Sequence, residues 1–273
     1  MRFQGLGPFV VSTDRSEIVV QPCRRSRLLI VLLANANKVV STTQVVREIW
    51  DDNPPGNTMN SLHAIVTRLR RDVTAWSVGR VQVVHRHPGY VLVMDESCLD
   101  ITEFTRLADA TRRAWATDPQ ECVKLARRAL ALWQGIPFSG HPLGRLGTMA
   151  RVRLEEAHLA TLEFLMDAGL ELGLHRQLVG ELRELAVAHP FREQFYGQLI
   201  LALYRCGRQR EALEAFQLAR RILNDELGVA PSPPLCDTFV RVLRQDPDLW
   251  HGAAGRRGAM GRLSDDVELA RAG

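Results

Sequence analysis

The residues best suited to recognise another molecule lie on one amphipathic segment, residues 60–71. Around a helix, Val66 and Leu69 fall within about 40° of Leu62, which predicts a buried face. The rest of the segment offers polar, charged or small side chains: Asn60, Ser61, His63, Ala64, Thr67, Arg68, Arg70 and Arg71. Guanidinium groups bind guanine edges and phosphates through paired hydrogen bonds, and a small Ala64 lets the backbone approach base edges. The pattern therefore favours a helix in the major groove of DNA, although a solvated surface helix is the alternative interpretation.

A short hairpin follows this segment, over residues 80–93. Val81, Val83 and Val91 recur at every second position, as in strands with one buried face. Arg86 comes three residues before Gly89 and is predicted at the hairpin tip. The negative potential of a minor groove attracts such an Arg. A basic helix beside a basic hairpin is typical of a winged helix, so the two features together favour DNA binding.

The first 95 residues are expected to form the domain that positions this pair. Its predicted elements are strands over 2–12 and 16–21, helices over 24–35 and 42–50, a breaker-rich turn over 51–56, and then the helix and hairpin. Ser41 and Gln44 match a capping box at the start of the second helix. Free backbone N–H groups at such a start bind phosphate, so Ser41 and Thr42 are candidate DNA contacts. Arg24 and Arg25 flank another helix start and are candidates for the same reason.

Residues 96–250 are predicted to be entirely helical. The expected helices cover 100–116, 119–133, 150–172, 175–188, 192–206, 208–226 and 234–245, with a loop over 135–149. Gly173 and Gly207 begin similar segments 34 residues apart, and Leu182 then aligns with Phe216. This offset equals the tetratricopeptide period and predicts a helical repeat domain, with a generic helical bundle as the alternative. The tail 251–273 has no periodic apolar face and is predicted to be disordered.

Composition excludes several classes of protein. Residues 1–95 carry 12 Lys and Arg against 7 Asp and Glu, whereas residues 96–250 carry 19 against 21, so the positive excess lies where phosphate binding needs it. No apolar run reaches the ~20 residues needed to span a bilayer, and the start of the sequence lacks the apolar segment of a signal peptide, which predicts a cytoplasmic protein with no membrane partner. The five Cys are widely spaced without a Cys-x-x-Cys pair, so neither a zinc site nor a disulfide framework is expected. Nucleotide-binding loops and catalytic motifs are absent, so we expect no enzyme, metal or cofactor.

Nine segments carry a resemblance to a known family. They are residues 37–41, 49–55, 60–70 and 88–92 in the first region, and 104–107, 129–135, 189–193, 202–209 and 225–232 in the second. The chain resembles the Streptomyces antibiotic regulatory protein family. The resemblance implies an α+β OmpR-type winged helix-turn-helix domain over 1–95, followed by an all-α, tetratricopeptide-like bacterial transcriptional activator domain over 96–250.

The resemblance also implies a function. Its members are sequence-specific activators of antibiotic and other secondary-metabolite clusters. They bind direct repeats near the promoter −35 region as homodimers on double-stranded DNA and recruit RNA polymerase holoenzyme. The positions matching Asn60, Ser61, Ala64, Thr67, Arg68 and Arg70 then face the major groove or its phosphates, and Arg86 enters the minor groove. The turn containing Trp50, Asp51, Asp52 and Asn53 corresponds to the polymerase-contacting loop, often touching the sigma factor. Ile65 departs from the pattern, which often has a polar residue there.

A second hypothesis belongs to another class of protein. A helical-repeat adaptor could bind a peptide or a small ligand, with Trp115, Trp133 and the 135–149 loop lining the site. Core aromatic residues are the commoner explanation for such side chains.

Overall fold

A computed structural model of the chain describes residues 1–13 and 16–250. Two segments lie outside the described residues: 14–15, between the first two predicted strands, and the tail 251–273, which is predicted to be disordered. The chain forms two compact units: the first comprises residues 1–110 and 125–161, and the second comprises residues 111–124 and the chain from 162 onward.

The first unit contains the predicted winged-helix architecture. Its elements in chain order are β1 (Arg2–Gln4), β2 (Val10–Ser12), β3 (Glu17–Val19), α1 (Arg24–Ala34), β4 (Val40–Ser41), α2 (Thr42–Trp50), α3 (Thr58–Ser77), β5 (Gln82–Arg86) and β6 (Gly89–Val93). The strands form two antiparallel sheets in the orders β1-β2-β3 and β4-β6-β5. Leu28, Ile49, Leu62 and Leu92 are among the residues of the shared core.

The prediction of one continuous strand over 2–12 is wrong, because the chain breaks between β1 and β2. The backbone N–H groups of Gly5 and Leu6 donate to the buried carboxylate of Asp100 at 2.8–3.0 Å. A Cβ on Gly5 would lie 2.7 Å from the Phe138 ring. Residues 5 and 6 therefore bond to Asp100 and pack against Phe138 instead of continuing the strand. Burial raises the pKa of Asp100, and its hydrogen bonds to Leu6 and Gly5 oppose that rise.

Residues 96–250 fold into helices joined by turns and loops, as predicted. The helices are α4 (Asp100–Trp115), α5 (Pro119–Leu130), α6 (Arg145–Glu171), α7 (His175–Ala188), α8 (Glu193–Arg205), α9 (Gln209–Leu227) and α10 (Pro233–Leu243). Helix α6 begins five residues before its predicted start, inside the predicted loop. Its first turn receives the carboxylate of Glu48, which accepts hydrogen bonds from the backbone N–H groups of Gly144, Leu146 and Gly147. Such a partner stabilises a helix start that local sequence does not mark.

The predicted 34-residue repeat is confirmed in the second unit. Helix α7 packs against α8, and α8 packs against both α9 and α10. Gly173 follows α6 and Gly207 follows α8, with φ of +76° and +74°, a backbone conformation that only glycine adopts readily. Leu182 and Phe216, the aligned pair, are both buried. Each repeat thus buries one face against its neighbour, as in tetratricopeptide arrays.

Within residues 1–13 and 16–250, no helix combines the length and the apolar character that crossing a bilayer requires.

Candidate nucleic-acid interface

Helix α3 buries the predicted stripe and exposes the predicted polar side. Leu62, Val66, Leu69 and Val73 are at most 2% exposed. Seven candidate residues are exposed and one, Ser61, is half-buried; the exposed ones are Asn60, His63, Ala64, Thr67, Arg68, Arg70 and Arg71. Ile65 is half-buried against the core, so the residue that departs from the family pattern serves packing. The helix is therefore anchored on one side and open to a partner on the other.

A basic depression of about 580 Å³ lies beside α3. The start of α1 contributes Arg24 and Arg25, α3 contributes Arg68, and Trp50 from the end of α2 also lines it. The Arg25 guanidinium lies 2.9 Å from the Asp72 carboxylate, which directs it toward α3. The structure thus brings the α1 candidates and the α3 candidates to one positively charged surface, although they are separated by about 40 residues in sequence.

Arg70 links the helix to the hairpin, which the sequence did not predict. Its Nε donates to the carbonyl oxygen of Val83 in β5 at 2.8 Å. This bond uses one of the five guanidinium N–H donors and leaves the others for a second partner. Arg70 therefore positions the wing relative to α3.

The start of α2 is joined to the wing tip. The backbone N–H and the hydroxyl of Thr42 both donate to the carbonyl oxygen of Pro88, at 3.0 and 3.1 Å. Ser41 accepts from the backbone N–H of Gln44 at 3.3 Å, which confirms the predicted capping box. A Cβ on Gly89 would overlap the carbonyl oxygen of Val40, so β4 and β6 approach closely only because this residue is glycine. These bonds occupy the Thr42 hydroxyl, a candidate phosphate contact.

The wing tip itself presents a cation. Arg86 ends β5 opposite Gly89, and its side chain is exposed. His85 packs edge-on against Tyr90, with ring centroids 5.3 Å apart. Arg86 is thus displayed at a tip fixed to both α2 and α3.

The turn after α2 has an exposed part and a buried part. Asp51, Asp52 and Asn53 are exposed, whereas Trp50 is 6% exposed and belongs to the core. Arg27, missed by sequence reasoning, donates to the Asp51 carboxylate at 3.2 Å and to the Ile49 carbonyl oxygen at 3.3 Å. Arg27 is the last charged residue of α1 before an apolar run, and this was the only sequence signal for the anchor.

The aromatic residues of the adaptor hypothesis serve packing where the structure describes them. The Trp133 ring lies 5.3 Å from that of Phe104 and 4.1 Å from that of His158. Phe138, in the loop that follows Trp133, is fully buried in the same core. Trp115 is half-buried and belongs to the second compact unit. Across the described ranges, no three His, Cys, Asp or Glu side chains are grouped to hold a metal ion.

Two family matches cover these regions. Residues 20–92 match the family described as transcriptional regulatory protein, C terminal, and residues 99–243 match the bacterial transcriptional activator domain.

Individual relatives are regulators as well. The chain is 34% identical to the regulatory protein DnrI of Streptomyces peucetius, over 91% of this chain and 94% of that protein. It is 34% identical to the transcriptional regulator RedD of Streptomyces coelicolor, over 89% of this chain and 71% of RedD. The regulatory protein AfsR of Streptomyces griseus is also 34% identical, but this chain spans only 25% of its length. These matches to regulators of transcription confirm the prediction that the chain is not an enzyme.

A solved structure of Mycobacterium tuberculosis EmbR, in complex with a low affinity phosphopeptide, shares the architecture. The TM-score is 0.84 at 26% identity, over 96% of this chain and 70% of that one. The winged helix followed by a helical domain is therefore shared with a known regulator.

Proposed function

The chain belongs to the Streptomyces antibiotic regulatory protein family of transcriptional activators, and we propose that it activates a secondary-metabolite gene cluster by binding promoter DNA. Two protomers bind direct repeats near the −35 region head to tail and recruit RNA polymerase holoenzyme in the cytoplasm. Residues 1–95 form the DNA-binding domain and residues 96–250 the activator domain. The observation that carries this proposal is the display of exposed guanidinium groups on α3 and on a wing hydrogen-bonded to it.

The exposed side of α3 reads the major groove. Arg68 presents a planar fork that matches the O6 and N7 acceptors of guanine. Asn60 and Thr67 offer shorter hydrogen-bonding groups, and Ala64 keeps the helix axis close to the base edges. The anchored stripe on the opposite side supports this, because a reading helix must be held rigidly at its back.

The wing reads the minor groove through Arg86. The bond from Arg70 to Val83 and the bonds from Thr42 to Pro88 fix the distance between the two reading elements. A fixed spacing allows both grooves to be occupied without an ordering cost on binding.

The remaining candidates hold phosphates. Ser41 and Thr42 stand at the positive start of α2, whose dipole attracts a DNA phosphate although both Thr42 donors are bonded to Pro88. The basic depression supplies more cations, and its neighbours complete the set: Arg24, Arg25, Ser61, His63 and Arg71. The positive excess of residues 1–95 supports this role, because phosphate neutralisation releases counterions.

The turn after α2 contacts the polymerase, through its sigma factor. Asp51, Asp52 and Asn53 form an exposed acidic turn, which suits a basic partner surface. The Arg27 guanidinium anchors the turn through its ion pair with the Asp51 carboxylate, and the buried Trp50 joins the turn to the core.

The DNA-binding mode is tested by fluorescence anisotropy on the promoter next to the gene. We expect Arg68→Ala to cost about 1–3 kcal/mol and to weaken discrimination between repeat and scrambled DNA, because a base contact is lost. Arg86→Ala should weaken binding and make it less salt-dependent. Arg176→Ala, an exposed Arg on α7, is the matched control and should bind normally. Normal binding by both Arg68→Ala and Arg86→Ala would contradict the proposal.

The polymerase contact is tested separately by transcription in vitro. Asp52→Ala should bind promoter DNA normally, because Asp52 is not among the proposed DNA contacts. It should lose most activation, because its exposed carboxylate is proposed to contact the polymerase. Full activation by a variant in which Asp52 and Asn53 are both alanine would contradict this part of the proposal alone.

A further inference from the structure

A cavity of about 290 Å³ lies within the second compact unit. Helix α6 contributes Asp167 and Leu170 to its walls, α8 contributes Gln198 and Leu201, and α10 contributes Leu235. Its size is at the lower end of small-molecule pockets. The cavity lining thus combines polar and apolar side chains.

Gln198 supplies an acceptor that has no donor. Its side chain belongs to a residue only 3% exposed. Its Nε2 donates to the Glu163 carbonyl oxygen at 3.0 Å and to the Asp167 carboxylate at 2.7 Å, which fixes the orientation of the amide. Its Oε1 has no hydrogen-bond partner among the described residues. A buried amide oxygen in this state favours any ligand that brings an N–H group.

Asp167 supplies a carboxylate that no cation neutralises. It accepts hydrogen bonds from Gln198 and, at 3.4 Å, from Gln194, and no ion pair to it is present in residues 1–13 and 16–250. Burial raises its pKa to about 6, and repulsion from Glu163 and Glu171 adds to the rise. A cation placed beside this carboxylate would offset both effects.

Acidic side chains outnumber the cations that line the cavity around Asp167. The ionisable groups are Glu163 and Glu171 on α6, Glu193 on α8, Arg241 on α10 and the thiol of Cys122 on α5. The one cation of this set that lines the cavity, Arg241, lies 2.7 Å from the Asp246 carboxylate. Two further cations lie nearby: Arg192 is 2.6 Å from the Glu163 carboxylate, and Arg205 donates to the Leu170 carbonyl oxygen at 2.7 Å. An anion is therefore disfavoured here.

We propose that this cavity binds a compact primary ammonium compound, of the size of an amino sugar. The ammonium donates to the Asp167 carboxylate and to Gln198 Oε1, and the carbon skeleton packs against Leu170, Leu201 and Leu235. An ammonium group matches the site because it has three donors and no acceptor, whereas an alcohol has one donor. This site is separate from the DNA-binding surface, so it stands or falls independently of the proposed function.

Calorimetry on the full chain at pH 7.5 tests the proposal with two matched pairs of probes. Glucosamine is compared with glucose, and cyclohexylmethylamine with cyclohexylmethanol. We expect at least one amine to bind at least tenfold more tightly than its alcohol. Asp167→Asn should lower the affinity for that amine at least tenfold. Glu214→Gln, which changes an exposed carboxylate in the same unit, should leave the affinity unchanged.

The pH dependence of amine binding provides a second test. Because the amine needs the ionised carboxylate, its affinity should fall as the pH is lowered through about 6, and this dependence should disappear in Asp167→Asn. Circular dichroism checks that the Asp167→Asn variant is folded. Gln198→Leu, which removes the unpartnered acceptor, should also weaken binding of the amine. The proposal is overturned if neither amine binds at millimolar concentration, if amines and alcohols bind equally, or if folded Asp167→Asn binds like the unmodified protein.

Discussion

Glu48 in the first compact unit and Asp167 in the second are both carboxylates withdrawn from water, but their partners differ. Glu48 is 1% exposed and accepts hydrogen bonds from three backbone N–H groups at 2.7–3.2 Å. Those groups begin α6, so the charge also meets the positive end of a helix dipole. Within the part of the chain that the structure describes, Asp167 accepts from two side-chain amides, those of Gln194 and Gln198, and lies beside an acceptor that has no donor.

The difference teaches how to separate a structural carboxylate from a binding one. The backbone of Glu48 also lies close to its partner, since a Cβ on Gly144 would be 2.6 Å from the Glu48 carbonyl oxygen. The Glu48 carboxylate is thus enclosed by backbone N–H donors that its negative charge stabilises. Asp167 borders a cavity and carries a charge that the folded chain does not compensate. The same chemical change, from carboxylate to amide, should therefore have opposite effects at the two residues.

The largest expected effect is at Glu48. Glu48→Gln should lower the free energy of unfolding by about 2–3 kcal/mol, because an amide NH₂ replaces one acceptor and the helix start loses its counter-charge. Urea unfolding at pH 7.5 measures this, with the exposed Glu17→Gln as control, which should stay within about 0.5 kcal/mol. A loss at Glu48→Gln no larger than that of the control would remove the contrast.

The opposite sign is expected at Asp167. Its pKa is raised from 3.8 to about 6, so the folded state binds more protons than the unfolded state between these values. Stability contributed by the protonated form is therefore lost as the pH rises through about 6. Asp167→Asn should raise the free energy of unfolding by about 2 kcal/mol at pH 7.5, with about 3 kcal/mol as the upper limit set by the shift. The gain should vanish below about pH 4, and destabilisation at pH 7.5 would contradict the comparison.

Local patterns were sufficient to predict the elements that carry the proposed DNA-binding surface. Helical periodicity predicted the buried stripe of α3, because that face packs against one continuous core. The capping box of Ser41 and Gln44 is a contact between residues three apart, and sequence displays such contacts directly. The glycine offset of 34 residues likewise predicted the repeat, because both turns need the same left-handed conformation.

Two other features, the start of α6 and the break after β1, could not be predicted because they depend on contacts between residues distant in sequence. The early start of α6 depends on Glu48, which lies 96 residues before Gly144. The break after β1 depends on Asp100, which lies 95 residues after Gly5. A carboxylate on the apolar side of α2, between Val45 and Ile49, was the only trace of the first contact. The cavity at Asp167 left no trace, because residues from three helices must be packed before it exists.

The smallest expected effect separates the two causes of the raised Asp167 pKa. Burial is the larger cause, and Glu171 is the weakest of the named contributors. Glu171→Gln should therefore lower the pKa of Asp167 by only a few tenths of a unit, as for a partly screened charge. Carbon-detected NMR titration of the Asp167 carboxyl measures this, with Glu181→Gln, an exposed residue on α7, as the control that should leave it unchanged. A fall to near 4 would show that like-charge repulsion holds the proton, and the cavity would then need no incoming cation to explain Asp167.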